Sequence, residues 1–160
     1  ASWPKHGNWL DPSDPSRMLL LTGYLWLGAD VAVPSYPFKL GYLGASTQVI
    51  GLGMQYVSGL WSPTLETDAG AQAFGPGTWT TGRGRIVGWN HFGLWLGRTR
   101  ARLELNRNPL ARIDHAYASG VVLDGLMLAG ATLWAEQGGA IGGTAYLSSL
   151  GVQFTDGLPA

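Results

Sequence analysis

The sequence contains no cysteine and few charged residues. Without cysteine the chain can form neither a disulfide framework nor a thiolate metal site. Lys, Arg, Asp and Glu make up 12% of its 160 residues, whereas the usual share in soluble domains is about 25%. So few charges cannot coat a water-exposed surface generously. We therefore expect part of the apolar surface to meet something other than water.

The charges that are present cancel, because ten basic residues balance ten acidic ones. Nucleic-acid binding usually depends on an excess of positive charge, so the sequence predicts no nucleic-acid partner. The three histidines are scattered without metal-ligand spacing, and no phosphate-binding glycine motif is present. Asp114, His115 and Ser119 come closest to a hydrolytic set, but His115 and Ser119 would lie about 13 Å apart on a strand. We expect no catalytic residues, metal or cofactor, and we favour a non-enzymatic role.

Glycine and tryptophan are abundant, with 25 and eight residues. The glycines have no collagen-like period, and the aromatic content argues against disorder. The length suits one domain with a real core. We divide the chain into an irregular lead-in at 1–17, a single domain at 18–154 and a C-terminal tail at 155–160.

Short apolar stretches separated by turn signals indicate an all-β protein. A loop is expected at 61–77, and turns are expected at Asn90-His91 and at Asp124-Gly125, the latter because Asp-Gly favours a tight hairpin. Eight strands with these connections predict an eight-stranded antiparallel up-and-down β-barrel. The predicted strands are 18–32, 38–46, 48–60, 79–89, 93–106, 113–123, 126–136 and 144–154.

The last predicted strand has the clearest alternation of apolar and polar residues. In AYLSSLGVQF at 145–154, Tyr146, Leu150, Val152 and Phe154 share one face. The stretch resembles the closing strand of small bacterial outer-membrane β-barrels, which ends in an aromatic residue preceded by alternating apolar positions. The resemblance implies an integral protein of the bacterial outer membrane, with apolar side chains toward lipid and a polar interior.

Arginines recur at every second position in two short stretches, GRGRI and GRTRARLELN. An arginine facing lipid would cost about 2–4 kcal/mol at the bilayer midplane, so we expect these side chains to line the interior and to pair there with carboxylates. Leu94 and Leu96 have the same parity as these arginines, which indicates a bulge near Gly97 or an end girdle. The expected charge network consists of Arg83, Arg85, Arg98, Arg100, Arg102 and Glu104.

Most tryptophans lie near predicted strand ends or turns. Aromatic girdles at membrane interfaces have this placement, although core packing or carbohydrate stacking would explain it equally well. The candidate interface aromatics are Trp26, Trp61, Trp79, Trp89, Trp95 and Trp134.

The sequence thus predicts an integral outer-membrane β-barrel with a salt-bridged interior and a structural, lipid- or glycan-interacting, or narrow-channel role. Its expected partners are membrane lipid and other protein chains or further copies of itself. One alternative is a soluble β-barrel or sandwich, secreted or periplasmic, that binds an apolar ligand or a glycan. A second alternative is a helical subunit of a membrane energy-transducing complex, with helices at 18–33, 38–61 and 116–135.

Overall fold

The computed structural model describes residues 16–27, 39–44, 49–57, 60–67, 70–74, 88–117, 123–129 and 146–160. Within these ranges the chain is all-β, and no helix is present. Consequently, no described helix is long and apolar enough to cross a membrane. The helices of the second alternative, at 18–33, 38–61 and 116–135, are strands in most of their described residues.

Ten strands are present in the described residues, and every pairing among them is antiparallel. The predicted strands at 18–32, 38–46, 48–60 and 144–154 each contain most of one observed strand. The strands in chain order are β1 (Arg17–Leu27), β2 (Lys39–Gly44), β3 (Val49–Val57), β4 (Leu60–Thr67), β5 (Gly70–Ala73), β6 (Gly88–Leu96), β7 (Arg100–Leu105), β8 (Arg112–Ala116), β9 (Leu123–Ala129) and β10 (Tyr146–Asp156).

The strands form two five-stranded sheets. Sheet 1 has the order β10-β1-β6-β7-β8, and sheet 2 has the order β5-β4-β3-β2-β9. β1 pairs with β6 instead of β2, so the described strands do not follow the up-and-down connectivity that the sequence predicted. That prediction was wrong because it assumed that consecutive strands pair with each other, which is a common arrangement. Nothing in the sequence of the first strands indicated which strands are neighbours in the sheet. The described strands do not close into a barrel.

An apolar core lies between the two sheets. It combines residues of β1, β6 and β7 in sheet 1 with residues of β3 and β4 in sheet 2. Complete burial of a leucine side chain contributes about 1.5–3 kcal/mol to the free energy of folding. Because the core residues come from both sheets, their burial holds the sheets together. The fully buried large side chains of the core are Leu19, Leu25, Ile50, Leu52, Leu65, Phe92, Leu94, Leu96, Leu103 and Leu105.

The faces of β7 are separated as the sequence predicted, but their directions differ from those expected for a membrane barrel. Ala101, Leu103 and Leu105 are 0% exposed and belong to the core between the sheets. Arg100 is exposed on the opposite face, which is the outer face of sheet 1. The apolar side of β7 therefore meets sheet 2, and its arginines point away from the apolar core.

A hairpin at Gly97 divides the single strand that was predicted at 93–106. β6 ends at Leu96, which lies opposite Ala101 of β7, and the Gly97 amide donates to the Arg100 carbonyl over 2.9 Å. The turn changes the parity of the inward positions, so Leu94 and Leu96 face the core although Arg100 does not. Asn90-His91, predicted as a turn, lies inside β6.

Two other predicted connections also prove to be strands. Asp124-Gly125 lies within β9, where Gly125 pairs with Leu43 and Leu123 pairs with Gly44. Asp124 is therefore the extra residue of a bulge, in which two residues of one strand lie opposite one residue of its partner. The predicted 61–77 loop contains most of β4 and all of β5, which form a hairpin with Gly70 at φ 103°.

Truncation of Leu103 tests the shared core. We expect Leu103→Ala to lower the free energy of unfolding by about 2–5 kcal/mol, because the cavity in a two-sheet core cannot fully collapse. Leu110→Ala is the matched control, since Leu110 is 81% exposed and its change should stay within about 0.5 kcal/mol. Urea unfolding followed by circular dichroism measures both. Equal effects of the two substitutions would contradict the described core.

Candidate functional site

The outer face of sheet 1 carries a charge network on β7 and β8. Residues directly opposite each other in an antiparallel pair have their side chains on the same face. Arg102 lies opposite Asp114, and Glu104 lies opposite Arg112. The two strands thus place opposite charges together twice, with the order of the charges reversed in the second pair.

The first pair is bidentate. Arg102 donates from Nε to Oδ1 of Asp114 over 2.6 Å and from Nη2 to Oδ2 over 3.2 Å. This fork geometry orients the guanidinium more strictly than a single contact would. The Arg102 side chain is 12% exposed, whereas that of Asp114 is 52% exposed, so the arginine is the more enclosed partner.

The second pair is enclosed on both sides. Arg112 donates from Nε to Oε2 of Glu104 over 2.5 Å, and the two side chains are 18% and 12% exposed. A carboxylate with so little access to water depends on its partner, since loss of that partner would leave a desolvated charge. The four residues of the network have no net charge.

Residues 157–160, called segment 157–160 below, cross the outer face of sheet 1 and contact this network. The Gly157 amide donates to the Ser16 carbonyl over 2.8 Å. Leu158 packs against the buried cluster of Met18, Leu20 and Trp95. The guanidinium Nη1 of Arg102 donates to the Pro159 carbonyl over 2.6 Å, and Nη2 of Arg112 donates to the Ala160 carbonyl over 3.0 Å.

A smaller polar cluster lies near the other end of β6. Asn106 accepts from the His91 amide through Oδ1 over 2.9 Å, and its own amide donates to the His91 carbonyl over 2.8 Å. Its side-chain Nδ2 also donates to Oδ1 of the fully buried Asn90 over 3.0 Å. Asn106 has φ 54°, a backbone conformation that asparagine tolerates well. The cluster fixes the β7–β8 turn against β6.

The predicted charge-network residues fall into three groups. Arg102 and Glu104 form the ion pairs described above, and Arg100 is exposed on the same strand. Arg98 lies in the β6–β7 turn. Arg83 and Arg85 lie outside the described residues, and the assignment of all six to a barrel lumen stays a prediction.

The structure adds Arg112, which the sequence-based network did not include. Arg112 follows a proline-containing break and belongs to no arginine row. Its role depends on the β7–β8 register, which places it opposite Glu104. The signal that could have found it is the order of charges, RARLE followed by RID, which is complementary when the two segments are folded into a hairpin.

The candidate interface aromatics are also divided. Trp89 is 50% exposed, whereas Trp95 is 9% exposed and contributes to the cluster beneath Leu158. Trp26 lies in β1 directly opposite Trp89 of β6, and Trp61 lies in β4 opposite Tyr56. Trp79 and Trp134 lie outside the described residues.

His115 and Asp114 do not form a catalytic pair, because adjacent strand residues point to opposite faces. Asp114 binds Arg102 on the outer face, whereas Nδ1 of His115 lies 3.2 Å from Nε2 of Gln72 in sheet 2. Ser119 lies outside the described residues. Within the described part of the chain, no group of three His, Asp or Glu side chains could hold a metal ion.

A double-mutant cycle tests the enclosed ion pair. We expect Arg112→Ala and Glu104→Ala each to lower the free energy of unfolding by about 1–3 kcal/mol, because each leaves a poorly hydrated charge behind. The double variant should lose less than the sum of the two. Arg100→Ala, on the same face but exposed, should change it by less than about 0.5 kcal/mol. Strict additivity in urea unfolding would show that the pair is not formed.

Gly93 provides a second test, since a Cβ there would lie 2.9 Å from Cζ3 of Trp95. The indole ring rests on the strand where Gly93 has no side chain. We expect Gly93→Ala to lower the free energy of unfolding by about 1–3 kcal/mol through overpacking. In a Trp95→Leu background the same methyl group should cost less. Thermal unfolding of the four chains measures this coupling, and equal costs in both backgrounds would contradict the described ring position.

Comparison with known proteins assigns the chain to no family. No family model matches the sequence, and no curated protein matches it. What the outer face of sheet 1 can do must therefore be inferred from contacts among the chain's own residues.

Proposed function

We propose that the protein is a bacterial outer-membrane β-barrel protein with a structural, lipid- or glycan-interacting, or narrow-channel role. The observation that carries the proposal is an uncovered apolar row on β10. Leu150, Val152 and Phe154 are 42%, 52% and 45% exposed. Val152 and Phe154 lie opposite Leu21 and Leu19 of β1, so the row continues the apolar face of sheet 1. Acyl chains would remove this row from water.

Strand length supports the same proposal. β1 and β10 have 11 residues each, and β3 and β6 have nine. A tilted strand needs about 9–11 residues to cross the hydrocarbon core of a bilayer. The other six described strands, with four to eight residues, are shorter than this, so the proposal depends on the longer strands.

Aromatic residues also lie at one end of sheet 1, but Trp89 shares the face of Trp95, opposite the open row of β10. Trp26 of β1 lies opposite Trp89 of β6 on one side and opposite Tyr146 of β10 on the other. Three neighbouring strands therefore carry an aromatic residue at the same level.

The ion pairs on the opposite face satisfy a requirement of the proposal. A polar interior that excludes bulk water tolerates charges only when they are paired. Arg102 with Asp114 and Arg112 with Glu104 meet this requirement. In the proposed membrane protein, the row on β10 that sheet 2 leaves open would contact lipid, while the ion pairs leave no unpaired enclosed charge among the described residues on the outer face of sheet 1.

A second candidate is a soluble β-barrel or sandwich that binds an apolar ligand or a glycan. The observation that favours it is the burial of the apolar side chains of β1, β6 and β7 against sheet 2. The edges of the two sheets also approach each other where Gln72 of β5 lies 3.2 Å from His115 of β8. Such a protein would keep its arginines in water and its core away from lipid.

Purification with and without detergent separates the two candidates. The outer-membrane protein should aggregate without detergent, give a β-type circular dichroism spectrum in micelles, and change its electrophoretic mobility on boiling. A chain that stays monomeric at high concentration in plain buffer would be the soluble candidate, and the membrane proposal would then be abandoned.

A matched pair of substitutions on β10 tests the lipid-facing row. Val152→Arg should reduce folding into phospholipid vesicles by roughly 30-fold or more, since arginine at the bilayer midplane costs about 2–4 kcal/mol. Gln153→Arg places the same charge on the opposite face of the strand and should fold nearly as well as the unmodified chain. Vesicle folding is measured from the heat-modifiable band. In the soluble candidate both positions are exposed, so equal and small effects would favour it.

A further inference from the structure

We propose that the groove beneath segment 157–160 is a binding site for an extended peptide and that this segment occupies the site in cis. The groove is formed by Met18, Leu20, Trp95, Arg102 and Arg112. It recognises one apolar side chain followed by two backbone carbonyl groups. The proposal does not depend on where the protein resides, because every contact that supports it lies on the outer face of sheet 1.

The apolar part of the groove depends on two glycines. A Cβ at Gly93 would lie 2.9 Å from the Trp95 ring, and a Cβ at Gly97 would lie 2.9 Å from Cε of Met18. Since neither glycine has a side chain, the indole and the thioether lie close to the strand backbone. Leu158 packs on the surface that they form together with Leu20. The socket accepts a branched apolar side chain and offers it no polar partner.

The part of the groove that contacts residues 159 and 160 offers donors, whereas the Ser16 carbonyl accepts from the Gly157 amide. Arg102 uses Nε and Nη2 on Asp114 and donates from Nη1 to Pro159, whereas Arg112 uses Nε on Glu104 and donates from Nη2 to Ala160. The carboxylates hold the guanidinium groups in place and cancel their charge. The site should therefore prefer neutral carbonyl oxygens to anions. A proline fits at position 159 although it has no N–H group, because the guanidinium of Arg102 binds only the carbonyl oxygen of this residue.

The manner of attachment indicates that segment 157–160 is replaceable. Apart from the Leu158 contact, its described hydrogen bonds run from the Gly157 amide to Ser16, from Thr155 Oγ1 to the Gly157 carbonyl, and from two guanidinium groups to the carbonyls of residues 159 and 160. Gly157, with φ 82°, allows the chain to leave β10 and turn across the sheet. A four-residue segment held by one apolar side chain and so few hydrogen bonds can be displaced by a competing peptide. Its occupancy depends on the high effective concentration that attachment to β10 provides.

Peptide binding to a chain that ends at Asp156 tests the proposal. The probe is a fluorescein-labelled peptide with the sequence of residues 155–160, amidated so that Ala160 presents a carbonyl group. Fluorescence anisotropy should show saturable binding to the truncated chain and at least tenfold weaker binding to the full chain, whose own segment competes. A probe with aspartate in place of Leu158 should bind the truncated chain at least tenfold more weakly.

A second variant protects the test against a truncation that fails to fold. Leu158→Asp in the full chain should release the segment and raise its affinity for the unmodified probe toward that of the truncated chain. Arg112→Lys in the truncated chain should weaken binding at least threefold, because lysine lacks the fork that serves Glu104 and the carbonyl together. Equal binding to the full and truncated chains, or no binding to a folded variant, would overturn the proposal. So would loss of the β spectrum in both variants, since the segment would then be an integral part of the fold.

Discussion

The register between β7 and β8 is the constraint on which the outer face of sheet 1 depends. Arg102 must lie opposite Asp114 for Glu104 to lie opposite Arg112. A slip by one residue would turn one strand's charged row toward the core and leave the other row unpaired. The Asn106 cluster opposes such a slip, because Asn106 fixes the β7–β8 turn to Asn90 and His91 of β6.

The same register explains why the ion pairs and the apolar core support each other. Leu103 lies opposite Ile113 on the inner face, so the contacts that bury Leu103 also bring Arg102 and Glu104 to their partners. Neither pair has to provide the association energy of the two strands, and an ion pair rarely could, since desolvation offsets most of its attraction. The charges select one alignment among those that the apolar residues would tolerate.

Local patterns predicted the faces of the strands, but they could not predict which strands pair. The alternation in RARLEL correctly separates Arg100 from Ala101 and Leu103, because side-chain direction follows from the backbone of a single strand. The hairpin at Gly97 was missed because GRTR contains no Asn-Gly or Asp-Gly signal, while Asp124-Gly125 contains one and forms a bulge. The Arg112–Glu104 pair and the cluster beneath Leu158 were not predicted, because both depend on contacts between separate segments of the chain. No pattern within a single strand encodes such contacts.

A sheet with one apolar and one ion-paired face can be completed in two ways, and sheet 1 shows parts of both. Sheet 2 covers the apolar side chains of β1, β6 and β7, whereas those of β10 stay open. On the other face, segment 157–160 lies over the middle strands. Leu158 packs against a buried apolar cluster there, and two guanidinium groups of the sheet donate hydrogen bonds to the segment. Among the described residues, the open row on β10 is thus a place where an additional apolar partner would bury neighbouring apolar side chains. Under the proposed membrane role, lipid would cover this row without requiring hydrogen bonds from its side chains.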